Sequence, residues 1–268
     1  MNIKDKLARI QAGIERAENE KNKGVQADSR HELNENTVTK SNALCRAYYR
    51  FDIIEKRAME AIISQLDPRL FNTFQTQDIE LSAKDYAKTF NVSQKHAYEH
   101  LAQAVDKLLR RVITVRDGLK VIKRPLMFKA EYTEGEGKIS ATFHPELIEH
   151  LIGLRKKFTS YPLIEAANFK SSYTWRFFEL MMSWSQDRKH TNGLLAGWFT
   201  IEVGEFRKML GIPDSYQLTH IKERVIERAQ AEFRESSNII LVYEQIKKGR
   251  SVTHFKFEFL EDGQRQLF

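Results

Sequence analysis

The stretch QIKKGRSVTHFKFEF, residues 245–259, crowds Lys247, Lys248 and Arg250 around Gly249 and then places Phe255, Phe257 and Phe259 at every second position. Side chains alternate faces along a strand, so the three phenylalanines share one side while Lys256 and Glu258 share the other. Just upstream, NIILVY supplies a partner strand in which Ile240 and Val242 can pair. With both strands fixed, IKKGRS is the connecting turn, and its three cations project together. Such a tip suits phosphate oxygens; a merely solubilising turn is the plain alternative.

The segment before the hairpin, PDSYQLTHIKERVIERAQAEFRESS (213–237), reads as a long helix. Leu218, Ile221, Val225, Ala229 and Phe233 form its apolar stripe. Gln217, His220, Arg224 and Arg228 follow a different face, with Lys222 beside it. Arg can bond guanine edges bidentately, and Gln or His can reach bases or phosphate. The competing view is a solvated helix in which Glu223, Glu227 and Glu232 pair with those bases. Upstream, FTIEVGEFRKMLGI reads as a short strand entering a helix, and SYTWRFFELMMSWSQ as an apolar helix.

The same order occurs earlier in the chain. SNALCRAYYRFDIIEKRAMEAIISQLDP sets Ala58, Ile62 and Leu66 on one helical face, and Asp67-Pro68 ends that helix. IELSAKDYAKTFNVSQKHAYEHLAQAVDKLLRR then gives two helices joined by a tight turn. Tyr86, Ala87 and Phe90 mark the first; Ser93 caps the second, whose stripe is Ala97, Leu101, Ala104, Val105 and Leu108. Two hairpins follow, VITVRDGLKVI with an Asp-Gly turn and LMFKAEYTEGEGKISATFHP with Gly135 and Gly137 at its tip. PELIEHLIGLRKKFTSY is expected to be another amphipathic helix, with Leu147, Leu151 and Leu154 as its stripe.

Helix, turn, helix and hairpin thus recur over 81–143 and 201–259, with little shared sequence. The expected fold is α+β: two tandem winged-helix domains with an N-terminal helical appendage. The expected boundaries are 1–35 for the appendage and linker, 36–150 for the first winged helix and 151–262 for the second. In the appendage Ile3, Leu7, Ile10 and Ile14 fall at helical spacing over 3–21, and a polar linker follows.

The first winged helix offers Gln94, Lys95, His96 and Tyr98 at the start of its reading helix. Its hairpin tip carries Glu134 and Glu136, which phosphate would repel. Lys120, Lys123 and Arg124 on the other hairpin give it a phosphate-facing alternative.

The bulk properties agree. A formal charge of +7 and a pI near 9.3 favour an anionic partner, nucleic acid or a membrane surface. Cys45 is the only cysteine, which excludes an intrachain disulfide and a multi-cysteine zinc site. No stretch reaches the roughly 20 apolar residues of a membrane span, so the protein is expected to be soluble and cytoplasmic. Phosphate-cradling glycine motifs are missing, and the eight histidines show no metal-ligand spacing, so no enzyme, metal or cofactor is expected. The pair Tyr48-Tyr49 could serve as a DNA-nicking nucleophile or as helix packing.

Several segments together resemble the iteron-binding plasmid replication initiators, the RepE/RepA-type Rep proteins. They are TVTKSNALCRAYYRFDIIEKRAMEAII, HLIGLRKKFTSYPL, SSYTWRFFELM and KKGRSVTHFKFEF, in that order, within 36–259. The resemblance implies monomers on the direct repeats (iterons) of a plasmid origin, and dimers on an inverted-repeat operator that represses the initiator's own gene. It implies dimerisation through the first domain and stronger major-groove contacts from the second. Carried onto this chain, those contacts are Lys222, Arg224 and Arg228 in the helix and Lys247, Lys248 and Arg250 in the wing. GLRKKFTSYPL becomes the interdomain connector. DnaA, the replicative helicase and chaperones become the host partners. The second reading helix departs from the family pattern at Glu223, and residues up to about Glu35 lie outside the resemblance.

Overall fold

Capping side chains set the helix starts of the first half. The structure, a computed structural model, describes residues 32–70, 76–117, 119–133, 135–185 and 193–263; the helix expected over 3–21 lies outside them. Strand β1 (Thr37–Ser41) ends at Ser41, whose hydroxyl accepts the Leu44 N–H and opens α1 (Asn42–Cys45). Asp52 and Glu55 form a reciprocal capping box at the head of α2 (Ile53–Ile63). After β2 (Asp78–Ser82), Ser82 caps α3 (Ala83–Phe90) and Ser93 caps α4 (Gln94–Leu109). Asn91 ends α3 in the left-handed region at φ 49°, a conformation asparagine tolerates. The α4 stripe is buried at Ala97, Leu101, Ala104 and Leu108, and only partly at Val105.

Two hairpins follow: β3 (Val112–Asp117) with β4 (Lys120–Pro125), and β5 (Met127–Thr133) with β6 (Lys138–Phe143). Strand β2 returns to pair with β6, giving the order β2-β6-β5 and making β5–β6 the wing.

The long helix expected over 145–161 is not there. Only α5 (Pro145–Ile148) forms; Leu147 and Leu151 are buried, but Gly153 at φ 69° and Lys157 at φ 54° leave helical space. The segment then becomes β7 (Phe158–Pro162), antiparallel to β1, with Thr159 and Tyr161 turned inward. The Ser41 and Asn42 N–H groups donate to the His150 and Lys157 carbonyls, satisfying the backbone that a helix would have paired internally. Three leucines at helical spacing were outweighed by the alternation in FTSYP.

Next come α6 (Leu163–Ala167) and α7 (Ser172–Ser183), the latter buried almost all round. The second winged helix then repeats the first: β8 (Ala196–Glu202) enters α8 (Val203–Leu210), as β2 enters α3. Gly211 ends α8 at φ 66°. The second reading helix runs as α9 (Leu218–Ile221), a π-helical stretch (Lys222–Glu227) and α10 (Arg228–Ser237). Within it Val225 and Ile226 are both buried, one more than the expected stripe contains. Strands β9 (Ile239–Lys248) and β10 (Ser251–Glu261) form the wing, in a sheet of order β8-β10-β9.

Phe255, Phe257 and Phe259 all face the core at 0, 0 and 4% exposure. The Phe257 ring lies 4.8 Å from Phe177 of α7, 5.2 Å from Phe199 of β8 and 5.3 Å from Phe206 of α8. Ile240 and Val242 do pair with β10, opposite Leu260 and Glu258, but on the outer face; Ile239, Leu241 and Tyr243 turn inward instead.

Candidate nucleic-acid interface

The β9–β10 ladder runs to Lys248 opposite Ser251, leaving Gly249 and Arg250 as a two-residue turn. Gly249 has φ 63° and Arg250 does not share that sign, the pattern of a II′ turn, in which the first position favours glycine. Lys247 and Lys248 end the strand on opposite faces, and Arg250 sits in the turn. All three are exposed and form no ion pair with another described residue. The phenylalanine face anchors the strands that carry this tip, so its backbone is held in place while its cations stay exposed.

On the second reading helix the side chains form a small ladder around Tyr216. The Gln217 N–H donates to His220 Nδ1 at 3.2 Å, which leaves the imidazole Nε2–H as the free donor. The Tyr216 ring lies 5.7 Å from the His220 ring and 5.5 Å from the Arg224 guanidinium, within cation–π range. Arg207 of α8 staples the preceding turn by donating to the Pro213 and Tyr216 carbonyls at 3.2 and 2.5 Å. Gln217 and Arg224 are exposed, Lys222 is half-buried, and Glu223 and Glu227 form no ion pair with another described residue.

Arg228 is occupied differently. Its Nε donates to Glu232 at 2.9 Å, and Glu232 also accepts the Lys170 and Ser171 N–H groups at the head of α7. Of the three glutamates that could have neutralised this helix, only Glu232 pairs with a base.

In the first winged helix Gln94, Lys95 and His96 stand exposed at the α4 N-terminus. The His96 ring stacks on His100 at 6.2 Å. Tyr98 lies against Gly137 of the wing tip, where a Cβ would meet its ring at 1.9 Å. The far-end cations Lys107 and Arg111 instead hold α2, through Asp52 at 2.6 Å and Glu55 at 2.6 Å. The wing tip offers the exposed Glu136.

On the β3–β4 hairpin, Lys120 and Lys123 are exposed but on opposite faces. The structure does not bring Arg124 to join them. It turns inward to the Glu146 carbonyl at 2.9 Å and to the Glu146 and Glu149 carboxylates, both at 3.1 Å.

Reading the sequence missed two residues. Tyr216 braces the second reading helix, and its signal was an aromatic four residues before His220. Arg116 is exposed on the same hairpin face as Lys123; in the sequence VITVR signals a strand, and only its pairing with β4 sets that charge beside Lys123.

The two tyrosines are built into the structure. Tyr49 is buried, with its hydroxyl accepting from Arg176 and its pKa pushed up by burial. Tyr48 donates to Glu205; burial, then that bond, push its phenol up to about 12. Among the described residues no group of three potential metal ligands converges, and no helix is long and apolar enough to cross a membrane.

Comparisons with known proteins agree with this arrangement. Residues 37–182 match the family described as Initiator Replication protein, WH1, and residues 202–259 the one described as Initiator Rep protein, WH2. The chain is 26% identical over 240 residues to a replication initiation protein of Escherichia coli, covering 88% of this chain and 73% of that protein. It is 26% identical over 175 residues to the PI protein of Escherichia coli, covering 59% and 55%. Among solved structures it resembles the Pi initiator protein in complex with iteron DNA. The TM-score is 0.63 at 19% identity, over 86% of this chain and 99% of that one, a likeness of fold.

Proposed function

The chain belongs to the initiator replication protein family, and on that premise we propose that it starts plasmid replication by binding the iterons of an origin as a monomer. Its work is binding and assembly: it marks the origin, helps open it and brings in host replication proteins, DnaA and the replicative helicase among them. Residues 151–262 supply the main iteron contacts. Residues 36–150 supply weaker contacts and the dimer that represses the initiator's own gene at an inverted-repeat operator, with chaperones returning dimers to monomers. The place of action is the bacterial cytoplasm.

One observation carries the reading: the wing tip of Lys247, Lys248 and Arg250 forms no ion pair with another described residue, and it belongs to the same winged helix as a helix that presents Gln217, Lys222 and Arg224. Clustered cations next to hydrogen-bonding side chains are what phosphate contact plus base reading requires. Arg228 and Arg124 enter as weaker contacts, since both already serve carboxylates. Footprinting on the DNA flanking the gene tests the proposal. Protection of an array of direct repeats is expected; protection of one inverted operator alone would reduce the protein to a winged-helix repressor.

A further inference from the structure

Two DNA-reading helices in one chain act as a ruler only if something holds them at one separation. The structure contains such a joint, between the loop 47–50 of the first winged helix and the corner 209–211 that ends α8 in the second. Three independent contacts close it.

The first is Arg176, buried at 2% exposure on α7. Its Nη2 donates to the Ala47 carbonyl at 3.0 Å and to the Met209 carbonyl at 2.8 Å, one on each side of the joint. Its Nη1 donates to Tyr49 Oη at 2.5 Å and Glu179 at 2.9 Å, and its guanidinium stacks 3.8 Å from the Tyr49 ring. Only Nε has no partner. The second contact is Tyr48 to Glu205 in the first turn of α8. The third is a close approach: a Cβ on Gly211 would lie 2.7–2.9 Å from Arg50 Cβ, Tyr49 O and Arg50 Cα.

The charge count shows what Arg176 is for. Around it Lys40 and Lys56 each bind both Glu60 and Glu179, all four fully buried. Two lysines already balance two carboxylates, so Arg176 is the surplus cation. Burying an extra cation is costly unless fixed oxygens replace its water. Burial above all pulls Lys56 down to about 8, still above neutrality, while Arg176 stays ionised. Arg176 gives Nη1 to Glu179 and Tyr49, and Nη2 to the two backbone carbonyls that the joint brings together.

We propose that Arg176, Gly211 and the Tyr48–Glu205 pair are positioning residues that fix the separation of α4 and the α9–α10 helix. The chain then reads two DNA half-sites at one spacing only. None of them touches DNA; each acts through α8, whose corner leads through the turn 212–217 into the second reading helix. The inference rests on the proposed DNA binding.

The test uses the full chain and a duplex that it enriches from a random pool, rebuilt with one or two base pairs inserted between the two protected halves. Each base pair shifts the second half by about 3.4 Å and turns it by about 34°, so the wild type is expected to lose more than about tenfold per insertion. Arg176→Met leaves the lysines and glutamates balanced, and Gly211→Ala forces the corner off the loop. Both variants are expected to bind the parent duplex more weakly and to discriminate against the insertions by less than about threefold. Should Arg176→Met fail to fold, Gly211→Ala and Tyr48→Phe decide. Variants that keep the wild-type spacing profile overturn the proposal. Failure of the wild type to enrich any sequence would instead overturn the DNA-binding reading.

Discussion

The two winged helices share a plan and differ in what glues and charges them. Each has a strand running straight into an eight-residue helix, an αL corner at Asn91 or Gly211, a reading helix and a wing whose last strand pairs back to the first. In the first, the corner takes three residues before α4, polar contacts around Asp78 tie the sheet, and the wing tip is acidic. In the second, a longer turn is stapled by Arg207, phenylalanine rings packed edge to face or tilted hold the sheet, and the tip is basic. The lesson is that geometry can be duplicated while surface charge is not. Burial fixes the strand and helix positions, but the exposed tips are free to carry either sign.

That contrast is most easily broken at the wings. Replacing Lys247, Lys248 and Arg250 together by Ala is expected to cost on the order of 100-fold in DNA affinity at physiological salt, whatever the sequence, and to make the log–log salt slope shallower by about 3. Glu136→Gln at the other tip is expected to change affinity by less than about threefold in the same titrations. A triple variant with an unchanged slope would show that the basic tip does not meet phosphate. A large loss at Glu136 would show that the two wings are more alike than their charges suggest.

The reading helices give the next largest effect. Arg224→Ala is expected to lose roughly 10- to 100-fold on the enriched duplex and far less on random DNA, relaxing sequence preference at its base. Gln94→Ala in the first domain is expected to lose less than about tenfold. Equal losses on both duplexes would make Arg224 a phosphate contact only.

The sequence exposed this asymmetry because period-two phenylalanines and a basic turn are local signals, readable within fifteen residues. Other features depend on partners distant in the chain. The strand at 158–162 exists because β1 is there to pair with it, over a hundred residues upstream. Arg124 reads as a free cation until Glu146 and Glu149 fold back onto it. Arg228 reads as a groove contact until Glu232 proves to be capping α7. The joint was invisible for the same reason: Arg176 and Glu179 sit three apart on a helix that composition marks as apolar.

The smallest effect separates the two sheets by their adhesive. In the first, burial pushes the Asp78 carboxyl up, but hydrogen bonds from Ser140 and Thr142, and then Lys129, outweigh it and hold the group below the usual carboxylate range. A lowered folded pKa means that this stabilisation is complete above the unfolded value, about 3.9, and fades as pH falls through the folded one. Asp78 is roughly half exposed, so solvent screening limits the contribution to under about 1 kcal/mol. Asp78→Asn is therefore expected to lower the hydrogen-exchange protection of β6 amides at neutral pH and to leave β10 unchanged. The gap from wild type should close below about pH 4. Equal loosening of β10, whose sheet is held by apolar rings rather than a carboxylate, would mean that the two winged helices open as one unit and that their different adhesives do not set their local stabilities.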